Sequence, residues 1–92
     1  MIERLRHKGL ERLYVRNDAR GVNPQHVEKI TLILTLLDAA ETIEAMNVPS
    51  LRLHKLAGNR AEFWSVTVRA NWRIIFRFEN GNAFDIDLID YH

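Results

Sequence analysis

Arginine side chains recur on the polar side of a segment with strand periodicity in the second half of the chain. Between Phe63 and Phe78 the sequence FWSVTVRANWRIIFRF alternates apolar and polar residues, as a strand with one buried face does. Arg69, Arg73 and Arg77 all fall on the polar side. Because a guanidinium binds two phosphate oxygens at once, this pattern predicts a sheet face that holds a polyanion.

The register of this hairpin decides whether the arginines act together. Each strand carries one apolar row, formed by Trp64, Val66 and Val68 in the first and by Ile74, Phe76 and Phe78 in the second. A three-residue loop, Ala70-Asn71-Trp72, puts both apolar rows on one face and Arg69 directly opposite Arg73. We expect Asn71 or a neighbour to adopt the left-handed conformation there. Like charges in opposite positions destabilise a sheet. The pair therefore predicts either a phosphate clamp or one side of an ion-pair ladder.

The next strand favours the ladder. Glu79-Asn80-Gly81 is typical of a second three-residue turn, with Gly81 in the left-handed conformation. This register places Asp87 opposite Arg73 and Asp85 diagonally between Arg73 and Arg77. The third strand has an apolar row of its own, formed by Phe84, Ile86 and Leu88. The same register aligns this row with the apolar rows of the two preceding strands. These strands alone favour an internal ladder over a phosphate site, and both interpretations stay open.

Groups able to transfer protons or contact a base lie near the ends of these strands. Histidine is suited to acid or base catalysis near neutral pH, which makes His54 and His92 candidates. Asp90 could orient an imidazole, and Tyr91 could stack on a nucleobase or donate a hydrogen bond. A terminal histidine is most often solvated, and His54 could simply cap a strand end. The residue types alone therefore leave these roles open.

Size and composition predict one small domain spanning residues 1–92. The chain has 92 residues, of which 47% are hydrophobic, enough for a single modest core. It has no cysteine, no apolar run long enough to span a membrane and no leader-like segment at Met1, so we expect a cytoplasmic setting. The net charge of +1 is too small for binding nucleic acid through bulk charge, so such a role depends on local clustering of arginines. We expect no metal and no cofactor, because the histidines are scattered.

Helices precede strands along the chain. The predicted elements are helices over residues 7–17 and 23–40, one or two helical turns within 41–47, and an extended segment over 51–56. Asn23 provides a helix cap, and Pro24 fits the first turn. This order predicts an α+β fold, in which helices pack on one face of a small antiparallel sheet and the arginines occupy a largely open second face.

Several motifs together resemble one protein family. The segment LRLHKLAGNRAEFWSVTVRANWRIIFRFENG and the ending DYH resemble the HigB branch of the RelE-type bacterial toxins. Members typically carry an LHxLxG(D/N)R segment, a WS(I/V)xV strand, an NWR turn and a final DYH. The resemblance extends over nearly the whole chain, including the opening MIERLRHKGLERLY.

This resemblance implies a RelE-like fold and the toxin of a type II toxin–antitoxin pair. Such a toxin is a ribosome-dependent endoribonuclease that cleaves translated mRNA in the decoding site. The implied partners are a helix-turn-helix antitoxin of the HigA type, which neutralises the toxin in a hetero-oligomer, the ribosome and mRNA, with no membrane.

The resemblance also implies metal-free cleavage, in which the 2′-hydroxyl attacks the neighbouring phosphate. This reaction needs a base, a cation for the phosphate charge and an acid for the leaving 5′-oxygen. The residues expected in these roles are Arg73 and the supporting Arg69 for the phosphate, and His92, His54, Tyr91 and Asp90 for proton transfer and orientation.

One position departs from the family pattern. Many relatives have LHPLKG, whereas this chain has Ala57 in place of the lysine. Residues 55 and 57 share a face in an extended strand, so we expect Lys55 to restore part of the charge, with Arg60 and Arg77 as further RNA contacts. The missing lysine leaves an alternative open: a non-catalytic or degenerate member that only binds antitoxin or RNA.

Overall fold

The computed structural model describes residues 1–91, which form two α-helices followed by an antiparallel sheet. The helices are α1 (Lys8–Arg16) and α2 (Val27–Ala39), and the strands are β1 (His54–Lys55), β2 (Trp64–Arg69), β3 (Trp72–Glu79) and β4 (Asn82–Asp90). The four strands lie in the order β1-β2-β3-β4. The α+β fold expected from the sequence is confirmed. No helix in this part of the chain is long and apolar enough to cross a membrane.

Helix α1 begins and ends at residues suited to those positions. The Nδ1 atom of His7 accepts a hydrogen bond from the backbone N–H of Leu10 at 3.2 Å. Asn17 ends the helix in the left-handed conformation with φ 54°, which asparagine tolerates better than most residues. Leu10 and Leu13 face the core. The predicted first helix is therefore confirmed.

Helix α2 follows the predicted Asn-Pro start through a short 3₁₀ turn, Pro24–His26. The side-chain oxygen of Asn23 accepts from the backbone N–H of Gln25 at 2.9 Å, and Pro24 occupies the first position of the turn. One face of α2 is buried, formed by Ile30, Ile33, Leu34 and Leu37. The helical turn predicted within residues 41–47 is present as the 3₁₀ turn Ile43–Met46.

The core lies between the helices and one face of the sheet. Its fully buried members include Leu10, Ile30, Ile33 and Leu37 from the helices and Val66, Ile74, Phe76 and Ile86 from the strands. Ahead of α1, Ile2 and Leu5 form isolated parallel bridges with Ala83 and Ile86. The amino-terminal segment therefore covers the free edge of β4, which would otherwise expose unpaired backbone groups.

The β2–β3 register differs from the expected one. Thr67, not Arg69, lies opposite Arg73, and a register shift then pairs Arg69 with Trp72. The connecting loop has two residues and begins at Ala70, which takes φ 49°. An extra residue in one strand reverses which face the following side chains occupy. The expected pair of facing arginines is therefore wrong, because the bulge moves Arg69 to the face of the sheet that carries Trp72.

The β3–β4 turn is likewise shorter than expected. Asn80 and Gly81 both have positive φ values, 51° and 79°, as a two-residue hairpin turn of this kind requires. Asp87 lies opposite Ile75, so the expected pairing of Asp87 with Arg73 is wrong. The physical reason is the combination of the shorter turn with a second register shift further along β4.

That second shift is centred on Asp85, which has φ 51°. Its carboxylate accepts from Arg4 Nε at 2.6 Å and from Arg77 Nη1 at 3.0 Å, and Arg6 Nη2 lies 3.7 Å away. The hydrogen bond from Arg4 lowers the pKa of Asp85 most, and that from Arg77 adds to it, against the opposing effect of burial. The internal ladder is thus confirmed for Arg77. The shift also pairs Phe84 with Arg77, so Phe84 leaves the expected apolar row.

The sheet face opposite the helices is only partly open. Ser65 and Ile75 oppose each other on this face and are 0% and 3% exposed. The expectation of a largely open face is therefore wrong along its middle. The extended segment expected over residues 51–56 is also shorter, since Arg52 takes φ 50° and only β1 pairs with β2.

Replacing Asp85 with asparagine is expected to lower the free energy of unfolding at pH 7 by about 2 kcal/mol, because hydrogen bonds to charged groups contribute about 1.5–3 kcal/mol. The fold lowers the pKa of Asp85. Its contribution is therefore fully present above the unfolded-state pKa of about 4 and is lost as pH falls through the lower folded-state pKa. Urea unfolding over a pH series measures both effects.

Glu3→Gln is the matched control, because Glu3 is an exposed carboxylate of the amino-terminal segment that forms no ion pair with any of residues 1–91. This variant should unfold like the unmodified protein at every pH. An equal loss of stability in both variants, or a deficit of Asp85→Asn that does not shrink in acid, would contradict the role of the ladder.

Candidate active site

Arg73 lies at the start of β3, where backbone groups hold its side chain. Its Nη1 atom donates to the carbonyl oxygens of Ala70 and Trp72, the latter at 3.3 Å. The Nε atom is buried and has no hydrogen-bond acceptor among residues 1–91. Within the same residues Arg73 forms no ion pair. The turn thus fixes the guanidinium, and no carboxylate of residues 1–91 pairs with it.

Arg77, on the same sheet face, has the opposite environment. Its guanidinium contacts Asp85 at 3.0 Å, Glu79 at 3.3 Å and Glu62 at 3.8 Å. These carboxylates, with the Asp85 hydrogen bond as the largest cause, raise the pKa of Arg77. Of the two arginines on this face, Arg73 is therefore the one whose positive charge remains available to an anion.

Tyr91 meets Arg73 at the end of the sheet. The guanidinium carbon of Arg73 lies 5.9 Å from the centroid of the Tyr91 ring, within the range of a cation–π contact. The backbone N–H of Tyr91 donates to the carbonyl oxygen of Asn71 at 2.7 Å. The β2–β3 turn and the residue after β4 are therefore joined. Tyr91 is 41% exposed, so this residue is accessible to a ligand.

A recess of about 290 Å³ adjoins Tyr91 and is lined by Leu56, Ala57, Asn59, Arg60 and Tyr91. The structure thus brings Arg60 and Tyr91, both expected from the sequence, to one place. Asn59 was not anticipated. Its local signal is the sequence Gly58-Asn59, because Gly58 takes φ 65° and introduces the 3₁₀ turn Gly58–Arg60.

His54 shares a sheet face with Arg73 without contacting it. His54 lies opposite Ser65, and Ser65 lies opposite Ile75, two residues from Arg73 on the same face. Two strand spacings separate β1 from β3, about 10 Å. The imidazole is exposed, and its Nδ1 atom lies 3.1 Å from the carbonyl oxygen of Arg52. His54 and Arg73 thus lie on the same sheet face, two strands apart.

Two expected cations lie on the helix side of the sheet instead. The Lys55 ammonium stands 4.8 Å from the ring centroid of Trp64, which packs against the core. Arg69 Nη1 donates to the side-chain oxygen of Gln25 at 3.0 Å. The structure therefore does not bring Lys55 or Arg69 together with Arg73.

The remaining expected residues lie at the carboxyl end. Asp90 is the last residue of β4 and pairs with Trp72. His92 lies outside the described residues. Among residues 1–91, the histidine, aspartate and glutamate side chains form no group of three that could hold a metal ion.

Comparison with known proteins identifies the family of this chain. The family described as "RelE-like toxin of type II toxin-antitoxin system HigB" matches residues 3–92. The chain belongs to this family. It is also 44% identical to the Endoribonuclease HigB of Proteus vulgaris over 92 residues, which cover 100% of both chains. This HigB-like toxin thus has the α+β fold of RelE-like toxins, and its partner is a cognate antitoxin.

The backbone conformation of the turn that holds Arg73 and Tyr91 predicts how a glycine substitution there changes the free energy of unfolding. Ala70 is in the left-handed conformation with φ 49°. This conformation costs a residue with a Cβ atom about 1–2 kcal/mol, while glycine loses about 0.4–1 kcal/mol more in unfolded-chain entropy. We therefore expect Ala70→Gly to raise the free energy of unfolding by about 0.5–1 kcal/mol, measured by urea denaturation.

Ala61→Gly is the matched control, since Ala61 has an ordinary right-handed φ of −59°. The same substitution should destabilise there, because only the entropic cost of glycine remains. If both variants change stability in the same direction, the left-handed conformation of Ala70 is not the cause.

Proposed function

We propose that this toxin is a ribosome-dependent endoribonuclease that cleaves translated mRNA, with Arg73 binding the phosphate at the cleavage site. One observation carries the proposal: the Arg73 guanidinium is fixed beside the exposed Tyr91 ring and has no carboxylate partner within residues 1–91. Family membership and the similarity to an endoribonuclease support the same conclusion.

In the proposed reaction the mRNA supplies its own nucleophile. A base removes the proton of the 2′-hydroxyl, the oxygen attacks the adjacent phosphorus, and the bond to the 5′-oxygen breaks. An acid protonates that oxygen, so the products are a cyclic 2′,3′-phosphate and a 5′-hydroxyl. Negative charge builds on the non-bridging oxygens during attack. Arg73 stabilises this charge through its positive guanidinium and its Nη2 donors, which bond to no acceptor within residues 1–91.

For proton transfer we assign His54 and His92 as the acid–base pair. His54 is exposed on the sheet face that carries Arg73. His92 follows Tyr91 and completes the DYH ending of the family pattern. Asp90 and Tyr91 are proposed to orient the imidazole and the substrate. Which histidine accepts and which donates the proton is an outcome of the experiments below.

The other cations take different parts in this proposal. Arg60 lines the recess beside Tyr91 and is assigned to RNA contact. Arg77 is paired with carboxylates, and Lys55 and Arg69 lie on the helix side, so they are left outside the reaction centre. We further propose that the cognate antitoxin is a helix-turn-helix protein that neutralises the toxin in a hetero-oligomer in the cytoplasm.

Arg73→Ala is expected to slow mRNA cleavage by about 100-fold or more, the usual effect of removing one donor to a developing oxyanion. Arg73→Lys should fall between this variant and the unmodified toxin, because an ammonium keeps the charge but not the planar shape and fixed donors of the guanidinium. Primer extension on purified programmed ribosomes measures the rate. Circular dichroism verifies that each variant is folded.

Two further arginines serve as controls for the loss of one charge. Arg16→Ala removes an exposed guanidinium from α1 and should leave cleavage nearly unchanged. Arg69→Ala removes one from the helix side of the sheet and should cost far less than Arg73→Ala. Equal losses in all of these variants would indicate general charge attraction. No cleavage by the folded, unmodified protein would instead favour a non-catalytic binding protein.

His54→Ala and truncation after Tyr91 should each slow single-turnover cleavage by about 100- to 10,000-fold, the range for positioned acids and bases. The unmodified toxin should show a bell-shaped pH–rate profile, and each variant should lose one limb of the bell. The lost limb identifies the base or the acid. A variant with an unchanged rate and profile would exclude its histidine from proton transfer.

A further inference from the structure

Two neighbouring side chains of the Pro24–His26 turn contact both ends of the β2–β3 turn. The side-chain oxygen of Gln25 accepts a hydrogen bond from Arg69 Nη1 at 3.0 Å. The His26 ring lies against the indole of Trp72, with ring centroids 5.9 Å apart and ring planes inclined by 56°. Arg69 is the last residue of β2 and Trp72 is the first residue of β3. The two contacts therefore lie on either side of the two-residue connection between these strands.

His26 has no polar role within the part of the chain that the structure describes. The residue is 5% exposed, its ring makes no hydrogen bond to any of residues 1–91, and it provides no side-chain cap for α2. Its aromatic contact is with Trp72. Tilted aromatic pairs prefer particular arrangements, so such a contact restrains one ring relative to the other. The imidazole thus holds Trp72 from the helix side of the sheet.

The backbone of the β2–β3 turn in turn orients the proposed site. The carbonyl oxygens of Ala70 and Trp72 accept hydrogen bonds from Arg73 Nη1. The carbonyl oxygen of Asn71, which lies between them in the chain, accepts from the backbone N–H of Tyr91 at 2.7 Å. Three consecutive carbonyl groups thus hold Arg73 and Tyr91. A shift of this turn would displace both residues at once.

The β2–β3 turn requires support from outside because its conformation is strained. Ala70 has φ 49°, a left-handed conformation that is unfavourable for a residue with a Cβ atom. The register of β2 also shifts between Thr67 and Arg69, directly before the turn. Strained residues persist where the surrounding structure holds them in place. The contacts from Gln25 and His26, one at each end of the turn, provide such support.

We infer that Gln25 and His26 are positioning residues for Arg73. They act through Arg69 and Trp72, respectively, on the turn whose carbonyl groups orient the Arg73 guanidinium. The inference rests on the proposed nuclease function for its effect on cleavage, whereas the restraint on the guanidinium can be measured without RNA. Misplacing a catalytic group by about 1 Å can slow a reaction by about 100-fold. Loss of either contact should therefore slow the chemical step rather than weaken ribosome binding.

The first test separates chemistry from binding. His26→Leu removes the ring while keeping a side chain of similar size, and it should slow single-turnover cleavage at saturating toxin by about 10-fold. The toxin concentration that gives half of the maximal rate should stay unchanged. His26→Phe keeps a ring against Trp72, so it should restore the rate to within about 2-fold of that of the unmodified toxin.

A double-mutant cycle tests whether the effect of His26 passes through Arg73. In the Arg73→Ala background no guanidinium remains to be oriented, so His26→Leu should change the residual rate by less than about 2-fold. Ile33→Val is the matched control, because Ile33 is fully buried in α2 about two turns beyond His26 and its truncation also lowers stability. This control should leave the rate unchanged. Equal effects of His26→Leu in both backgrounds, or an equal loss of rate in the control, would overturn the inference.

The second test needs no RNA. The Nε–H group of Arg73 is buried, so the rate of its hydrogen exchange with water reports how firmly the side chain is held. Its NMR signal is identified by its absence in Arg73→Lys. Gln25→Ala removes the acceptor for Arg69 and should speed this exchange by about 5-fold or more. Gln25→Glu keeps an oxygen acceptor and should exchange like the unmodified toxin. Gln25 is exposed, so this pair of variants tests the inference even where His26→Leu fails to fold.

The two tests distinguish this inference from the proposed function. Faster exchange in Gln25→Ala, in a toxin that leaves the mRNA of programmed ribosomes intact, would reject the nuclease and retain the positioning of Arg73. Cleavage by the unmodified toxin, together with unchanged exchange in Gln25→Ala and an unchanged rate in His26→Leu, would retain the nuclease and reject the positioning.

Discussion

Side-chain alternation along the strands, interrupted once in each hairpin, determines which charges of this protein meet. The shift between Thr67 and Arg69 turns Arg69 toward the helix side, away from Arg73. The shift at Asp85 turns that carboxylate toward Arg77 and the amino-terminal arginines. Without these two shifts the arginines would lie in one row. With them, Arg69 is bonded to the helix side, Arg77 is paired with carboxylates, and Arg73 forms no ion pair within residues 1–91.

The different environments of Asp85 and Arg73 have different effects on the stability of the fold. A buried carboxylate is costly unless cations and hydrogen bonds surround it, and Asp85 has both. Within residues 1–91, Arg73 has neither a carboxylate partner nor an acceptor for its buried Nε atom. An unsatisfied buried donor lowers stability. Native proteins keep few such groups, and those that remain often lie at strained or catalytic positions.

The sequence predicted those parts of the structure that depend on local patterns. Helical spacing of Leu10 and Leu13, and the Asn23-Pro24 start, predicted both helices because capping and periodicity act within a few residues. The pairing of Arg73 could not be predicted in this way. Turn length and bulge position depend on how the whole sheet packs on the helices. A register error of two residues keeps the apolar rows on one face but changes the cross-strand partner of every residue.

For the candidate site, the sequence indicated residues but not their positions, which also depend on the strand register. The family resemblance indicated Arg73, His54 and Tyr91, but it gave no account of which face each would occupy. Lys55 illustrates the difficulty: alternation predicted a shared face with residue 57, yet β1 ends at Lys55 and the ammonium lies over Trp64. Asn59 has no periodic neighbours at all. An exposed turn residue such as Asn59 becomes a candidate site residue only once the fold shows that it lines the same recess as Tyr91.

The charge distribution also bears on how such a site would encounter RNA. A net charge of +1 provides little long-range attraction for a polyanion. The ion pairs of Asp85 offset part of the local positive charge. Under the proposed function, recognition therefore depends on short-range, directional contacts, such as those proposed for Arg73 and Tyr91. Contacts of this kind become effective once the RNA is already held in place. A toxin built in this way is therefore better suited to mRNA presented by the ribosome than to capturing free RNA from solution.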